Sequence, residues 1–270
     1  MNYIKIKNHD IKFKTEPIKY ESGIYYFIFD DKLNYFQRTG DVNINKIKSL
    51  LKKYSLVYEI LRNCLYPILM VGGKSRKDFL KINFDEKQII VNLASGNNTE
   101  NYFINVDLFP FNKVDIIAST DDLPFADNSI DKIILEASIE HVTNPNKTIE
   151  EIHRVLKKGG MLFMTVPFIV GYHDSPSDYW RWTKEGLKLL LKDFEIVEIG
   201  NKGGIASALG WILAEFIATA LSFNSRKFHF ILFHIMLILL MPLKLLDFVF
   251  NSYTTTSNIS SLFYATCKKK

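Results

Sequence analysis

The chain has 270 residues, 47% apolar and 23% charged, with a formal net charge of +5, which gives room for one full α/β domain with additions and fits a globular protein rather than a disordered one. Its basic residues are spread out, not concentrated on one segment with aromatics between them, which argues against nucleic acid as a partner and leaves an anionic surface or phosphorylated substrate open. Two cysteines, Cys64 and Cys267, stand far apart with no Cys-x-x-Cys pair, so no disulfide framework and no metal site is expected.

The N-terminus lacks an apolar stretch behind a basic start, so no signal peptide is expected and a cytoplasmic location is assigned. Residues 1–85 read as an accessory region. Alternation over Ile4–Lys7 and Ile24–Phe29 predicts short antiparallel strands, and helical spacing from Ile44 to Met70 predicts a helix that Gly72-Gly73 breaks. Residues 86–204 change rhythm. Strands are predicted at Gln88–Leu93, Phe103–Asp107, Val114–Ala118, Ile130–Glu136, Met161–Val166 and Phe194–Ile199, with helices at Asn146–Leu156 and Thr183–Leu191. Strands alternating with crossovers make this an α/β, doubly wound, mostly parallel sheet.

Residues 205–258 form an apolar helical insertion ahead of a final strand in 259–270. The run Phe228–Met241 is near the lower length for spanning a bilayer, but two histidines, Pro242 and Lys244 weaken that reading. A buried hairpin, a homodimer contact and a hairpin peripheral to the inner face of the cell membrane all stay open.

Ligands of open parallel sheets sit beyond the carboxyl ends of the strands, near the point where strand order reverses. That rule selects Asn92–Asn98, Asp107, Ser119–Asp122, Glu136–His141 and Pro167–His173. Gly96 would let a ligand approach the backbone, and Asp107 has the position of an acid that accepts from a ribose diol. In order, these features point to a nucleoside-containing ligand.

Three blocks carry a resemblance. Leu123-Pro124-Phe125-Ala126-Asp127-Asn128-Ser129-Ile130-Asp131, then Glu140-His141-Val142, then Glu151–Gly160 with Arg154-Val155-Leu156-Lys157-Lys158-Gly159-Gly160 resemble the class I S-adenosylmethionine-dependent methyltransferases. The resemblance implies a Rossmann-like sheet whose last strand is antiparallel, S-adenosylmethionine as cofactor, and transfer of its methyl group to a small-molecule or saccharide-like acceptor. It implies that Asn92, Ala94 and Gly96 flank the methionine part of the cofactor and that Asp107 holds the ribose. It also implies that Asp121, Asp122 and Leu123 border the adenine, and that Ala137–His141 form the floor beneath the sulfonium. The chain departs from the family's first motif: an amide, Asn92, replaces the acid, and Ala94 replaces a glycine. A protein that keeps the fold without catalysis is therefore the alternative.

The segment Tyr172–Thr183 resembles a subgroup pattern, His-x-x-Pro-x-Asp-Tyr-x-Arg-x-Thr. Methyl transfer needs mainly alignment, and an alcohol acceptor also needs a base. His173 is the candidate base, Asp178 its orienting partner or itself the base, and Tyr179 and Arg181 the acceptor's grip. The competing reading has the aromatics pack the loop while Asp178 and Arg181 form an ion pair.

Overall fold

The computed structural model describes residues 2–28, 72–96, 99–173 and 177–270. The helix expected at 44–70 lies outside the described residues. Strands β1 (Asn2–Ile6) and β2 (His9–Phe13) form an antiparallel hairpin. It docks on the core through Phe13, which stacks on Phe125. Strands β3 (Lys19–Glu21) and β4 (Ile24–Tyr26) make a second hairpin, which joins the edge of the main sheet.

Helix α1 (Arg76–Lys81) escapes the periodicity argument because it is only six residues long. Its signature is a capping box: Ser75 and Asp78 satisfy each other's backbone N–H groups. It buries Phe79, which stacks on Phe163 with ring centroids 5.5 Å apart. Its last carbonyls receive the ammonium of Lys132, a buried cation that donates to Leu80 and Ile82.

The core strands are β5 (Ile90–Leu93), β6 (Ile104–Asp107), β7 (Ile116–Ile117), β8 (Ile130–Glu136), β9 (Leu156–Pro167), β10 (Phe194–Gly203) and β11 (Leu262–Lys269). The nine-stranded sheet has the order β10-β11-β9-β8-β5-β6-β7-β4-β3. From β7 to β9 the pairings are parallel, and β11 slots antiparallel between β9 and β10, as the resemblance implies. β5 and β6 are buried at every position, their polar residues Asn92, Asn105 and Asp107 included.

Helix α2 (Pro145–Val155) is capped by Asn144 and buries Ile149, Ile152 and Val155. It ends without the glycine stop expected at Gly159-Gly160: Leu156 is already extended and pairs with Ile130. The glycines instead shape an irregularity in β9, where Gly159 has φ +80°. Helix α3 (Lys184–Leu190) starts at Thr183, whose hydroxyl accepts from Gly186 N–H. After β10 come α4 (Ile205–Leu221), α5 (Arg226–Leu240), a 3-10 turn at Met241–Leu246, α6 (Asp247–Phe250) and a 3-10 stretch at Thr254–Ile259.

Candidate active site

Strand order reverses between β5 and β8, so the ligand crevice opens beyond their carboxyl ends. β5 leaves the sheet through Ala94 (φ +50°), Ser95 and Gly96 (φ +51°). β8 ends in Ala137 (φ +45°), whose N–H is held by the Thr165 carbonyl and hydroxyl. Two alanines in the left-handed region on the two lips of the crevice store strain where the backbone must turn sharply.

A methyl group built on Gly96 would meet no atom of the described residues within 4 Å, so this side of the turn is open among them. Next to it, the Asp107 carboxylate at the end of β6 accepts from Gly96 N–H at 2.7 Å and Phe109 N–H at 2.9 Å. Burial pushes this carboxyl above the ordinary range, and the N–H groups of Phe109, Gly96 and Leu108 counter it. Ser95 contributes a buried hydroxyl with no hydrogen-bond partner among the described residues. An open glycine, an orphaned hydroxyl and an acid at the adjacent strand end fit the nucleoside and methionine parts of S-adenosylmethionine.

Not every residue assigned from sequence lines this crevice. Asn92 sits inside β5, buried between neighbouring strands, and its amide donates to Asn105 Oδ1 at 3.3 Å. It therefore ties two strands together inside the sheet. Leu123 is fully buried in the core. Its N–H donates to Glu151 and its carbonyl accepts from Arg154, a network that also binds Asp127 and drives the 123–125 side chains inward. Asp122 is 73% exposed and pairs outward with Lys14 at 2.6 Å. Asp121 stays beside the strand end, where it accepts from the Ser119 hydroxyl.

Facing the crevice from the loop after β9, His173 is tied down on two sides. Its N–H donates to Asp178 Oδ2 at 2.9 Å, and Nδ1 lies 3.0 Å from the Gly171 carbonyl. With the Nδ1 proton given to that carbonyl, the lone pair is on Nε2. Nε2 is 3.5 Å from Glu140 Oε1, and His141 Nε2 is 3.9 Å from the same oxygen. His141 is itself braced by the Ser177 carbonyl at 2.6 Å.

Glu140, on the 3-10 turn Ile139–His141, is fully buried, and neither carboxylate oxygen has a hydrogen-bond donor among the described residues. Sequence reasoning placed it in the floor without assigning it chemistry; the Glu140-His141 block was the signal that could have found it. Burial alone would lower the His173 pKa, but Glu140, the Gly171 carbonyl and Asp178 outweigh it and raise the value above the usual 6.5. The ligand atoms of Glu140, His141 and His173 lie within 4.8 Å of one another, close enough for a divalent cation to draw them together.

Arg181 does not grip an acceptor. Its five N–H donors are all engaged: Nε by Val170, Nη1 by Asp178 and Trp180, Nη2 by Asp178 and Gly171. The fork on Asp178 outweighs that carboxyl's burial and holds its pKa below the ordinary range. With its oxygens taken by Arg181 and the His173 N–H, Asp178 anchors the His173 backbone. Trp182 packs into the core, and Trp180 Nε1 donates to Val142 O. Tyr179 is 52% exposed and Tyr172, on the same loop, 71%.

Residues 74–164 match the family model described as a methyltransferase domain. A 51-residue stretch is 43% identical to a protein of Methanocaldococcus jannaschii, covering 19% of this chain and 25% of that one. A ubiquinone/menaquinone biosynthesis C-methyltransferase of Hydrogenovibrio crunogenus is 25% identical over 169 residues, 58% of this chain and 64% of the relative. The chain thus spans less than two thirds of the length of either relative. Phosphoethanolamine N-methyltransferase 2 of Haemonchus contortus, solved with S-adenosyl-L-methionine, aligns with a TM-score of 0.45 at 16% identity, covering 76% of this chain and 56% of that one. The matched segment runs from just ahead of α1 into β9, so the part of the chain that carries the crevice is similar to a methyltransferase domain.

Proposed function

We propose that this chain methylates an oxygen of a small or saccharide-like acceptor, with His173 as general base. The observation that carries this reading is the His173 imidazole itself. Nδ1 is fixed by the Gly171 carbonyl, and Nε2 lies 3.5 Å from the buried Glu140 carboxylate, which favours the imidazolium. When bound, S-adenosylmethionine supplies an activated sulfonium methyl. The turn at Ser95-Gly96 and the Asp107 carboxylate would hold it, with Ala137 below. His173 Nε2 would take the acceptor's hydroxyl proton as that oxygen is methylated. Glu140 and Asp178 stabilise the charge this leaves on the ring.

Calorimetric titration with S-adenosylmethionine, together with turnover in an acceptor screen, tests the assignment. Wild type and His173→Ala should bind alike, with turnover falling roughly 10²- to 10⁴-fold in the variant. Gly96→Ala places a methyl group in the open cradle and should weaken binding while the fold persists. Unchanged turnover in His173→Ala would remove the base. Absence of binding by the wild type would favour the fold kept without catalysis, a reading to which Ala94 also points.

A further inference from the structure

The surface of α4 and α5 reverses the usual arrangement of a water-soluble helix. On α4 the buried residues are the small ones, Ala206, Ser207, Ala208, Gly210, Ala214 and Ala218. The large ones, Leu209, Ile212 and Phe216, recur along the outward stripe, with Phe216 69% exposed. A soluble amphipathic helix buries its large apolar side chains; small residues inside and large ones outside is how helices pack in lipid.

α5 continues the pattern: Leu237 is its one buried residue, while Phe228, Ile231, Ile235, Ile238 and Leu239 are exposed. From Phe228 to Leu243 the sequence has no charged residue. The segment Arg226–Phe250 has a mean hydropathy of 2.1 with 11% of its apolar window buried. At the turn joining the helices, Phe223 is 87% exposed, and Arg226 and Lys227 follow it, both exposed.

We propose that this hairpin docks in one leaflet of an anionic lipid bilayer, and that the acceptor is a lipid-anchored molecule presented at that surface. The acceptor part rests on the methyltransferase reading; the docking does not. At 1.5 Å per residue α4 is roughly 26 Å long, short of the ~30 Å hydrocarbon core, and the 25-residue helical run Arg226–Phe250, though long enough to reach across it, turns 3-10 at Met241–Leu246 and carries Pro242, Lys244 and Asp247, with Arg226 and Lys227 at its start. The hairpin therefore lies in the interface, with Arg226 and Lys227 on anionic headgroups.

A second copy of the chain fits this face less well. Protein interfaces carry about one hydrogen bond per 100–200 Å², whereas the outward stripes Leu209/Ile212/Phe216 and Phe228/Ile231/Ile235/Ile238 offer no polar side chain. The link to the acceptor is Trp211. This α4 residue packs against Gly171, where a Cβ would come within 2.3 Å of its Nε1. Gly171 is also the carbonyl that fixes His173. The docking helix and the base thus share one backbone segment, and a molecule held in the leaflet lies beside the crevice.

The test is co-sedimentation of the full chain with phosphatidylcholine vesicles, with and without phosphatidylglycerol, alongside calorimetry with S-adenosylmethionine. Wild type should sediment with the anionic vesicles. The double variant Ile235→Glu/Leu239→Glu should bind roughly a hundredfold more weakly, and Arg226→Gln or Lys227→Gln about fivefold each. All should keep wild-type circular dichroism and cofactor affinity. A wild type that stays in the supernatant, or a double variant that sediments like it, overturns the docking. So does a vesicle-free dimer that the double variant splits, because a second copy then covers the face. Vesicle binding without cofactor binding supports the docking and sinks the acceptor claim with the methyltransferase reading. Cofactor binding without vesicle binding sinks the docking alone.

Discussion

Asp247 is fully buried, yet its carboxylate is saturated: Oδ1 accepts from Ala206 N–H at 2.8 Å, and Oδ2 from Gly204 N–H, Ser207 N–H and the Ser207 hydroxyl. These are the orphan donors of the first turn of α4, whose own cap position, Gly204, has no side chain to offer. The cap thus comes from forty residues away and ties the hairpin's exit to its entrance. Asp247→Ala leaves three backbone N–H groups buried and unpaired, each costing about 1–3 kcal/mol, and removes an anion from the positive end of the helix. Because these terms are not additive, the expected loss is about 3–5 kcal/mol. For a chain of this size that corresponds to a fall in Tm of roughly 10 °C. Thermal unfolding reads the global loss, and amide hydrogen exchange should show Ile205–Leu209 opening first. A variant that melts within about 2 °C of wild type, with α4 equally protected, would refute the assignment of Asp247 as the remote cap.

The raised His173 pKa sets the direction of the rate profile. The base must be neutral, so the ascending limb should lie above pH 6.5, and Glu140→Gln should move it to lower pH; a limb at or below the ordinary histidine value, unmoved in that variant, contradicts the role of Glu140. The same raised value means that His173's contribution to folding stability is present below about pH 6.5 and lost as pH rises through the folded value. Asp178, held low, contributes above about pH 4 and loses its contribution on acidification. The profile should be insensitive to a chelator; loss of activity restored by a divalent cation would mean that Glu140, His141 and His173 act as ligands. Separately, Ala94→Gly relieves a left-handed alanine and should raise the denaturation midpoint by about 1 kcal/mol equivalent; a lowered midpoint would show that Ala94 makes a packing contribution larger than its strain.

Much of the sheet was legible because its signals are local. Apolar runs such as Ile133–Leu135 mark strands buried on both faces, and the blocks around Asp131, Glu140 and Arg154 carry their order. What could not be read was where polar groups find partners. Arg181 looks like a free cation in sequence, and only the folded loop shows all five donors engaged by Val170, Gly171, Trp180 and Asp178. Asp122 and Leu123 are adjacent, yet the Glu151–Arg154 network turns one outward and the other into the core. Asn92 looked like a degenerate ligand and is a strand-to-strand tie. The glycine pair at 159–160 looked like a helix stop, but the helix had already given way to β9. Helix α1 was missed because its evidence is two capping side chains, which periodicity does not see.

The placement of β11 between β9 and β10 has a consequence for the order in which the protein assembles. The strand that closes the sheet follows the apolar hairpin in the chain, so a ribosome delivers the hairpin first. Until β11 arrives, β10 has no neighbour to pair with, and β9 exposes one edge. The nascent chain therefore passes through a stage with a finished oily hairpin beside an unfinished sheet, the kind of species that aggregates in bulk water. A lipid surface near the site of synthesis would shelter the hairpin through that interval, coupling where this protein matures to where its catalytic face is directed.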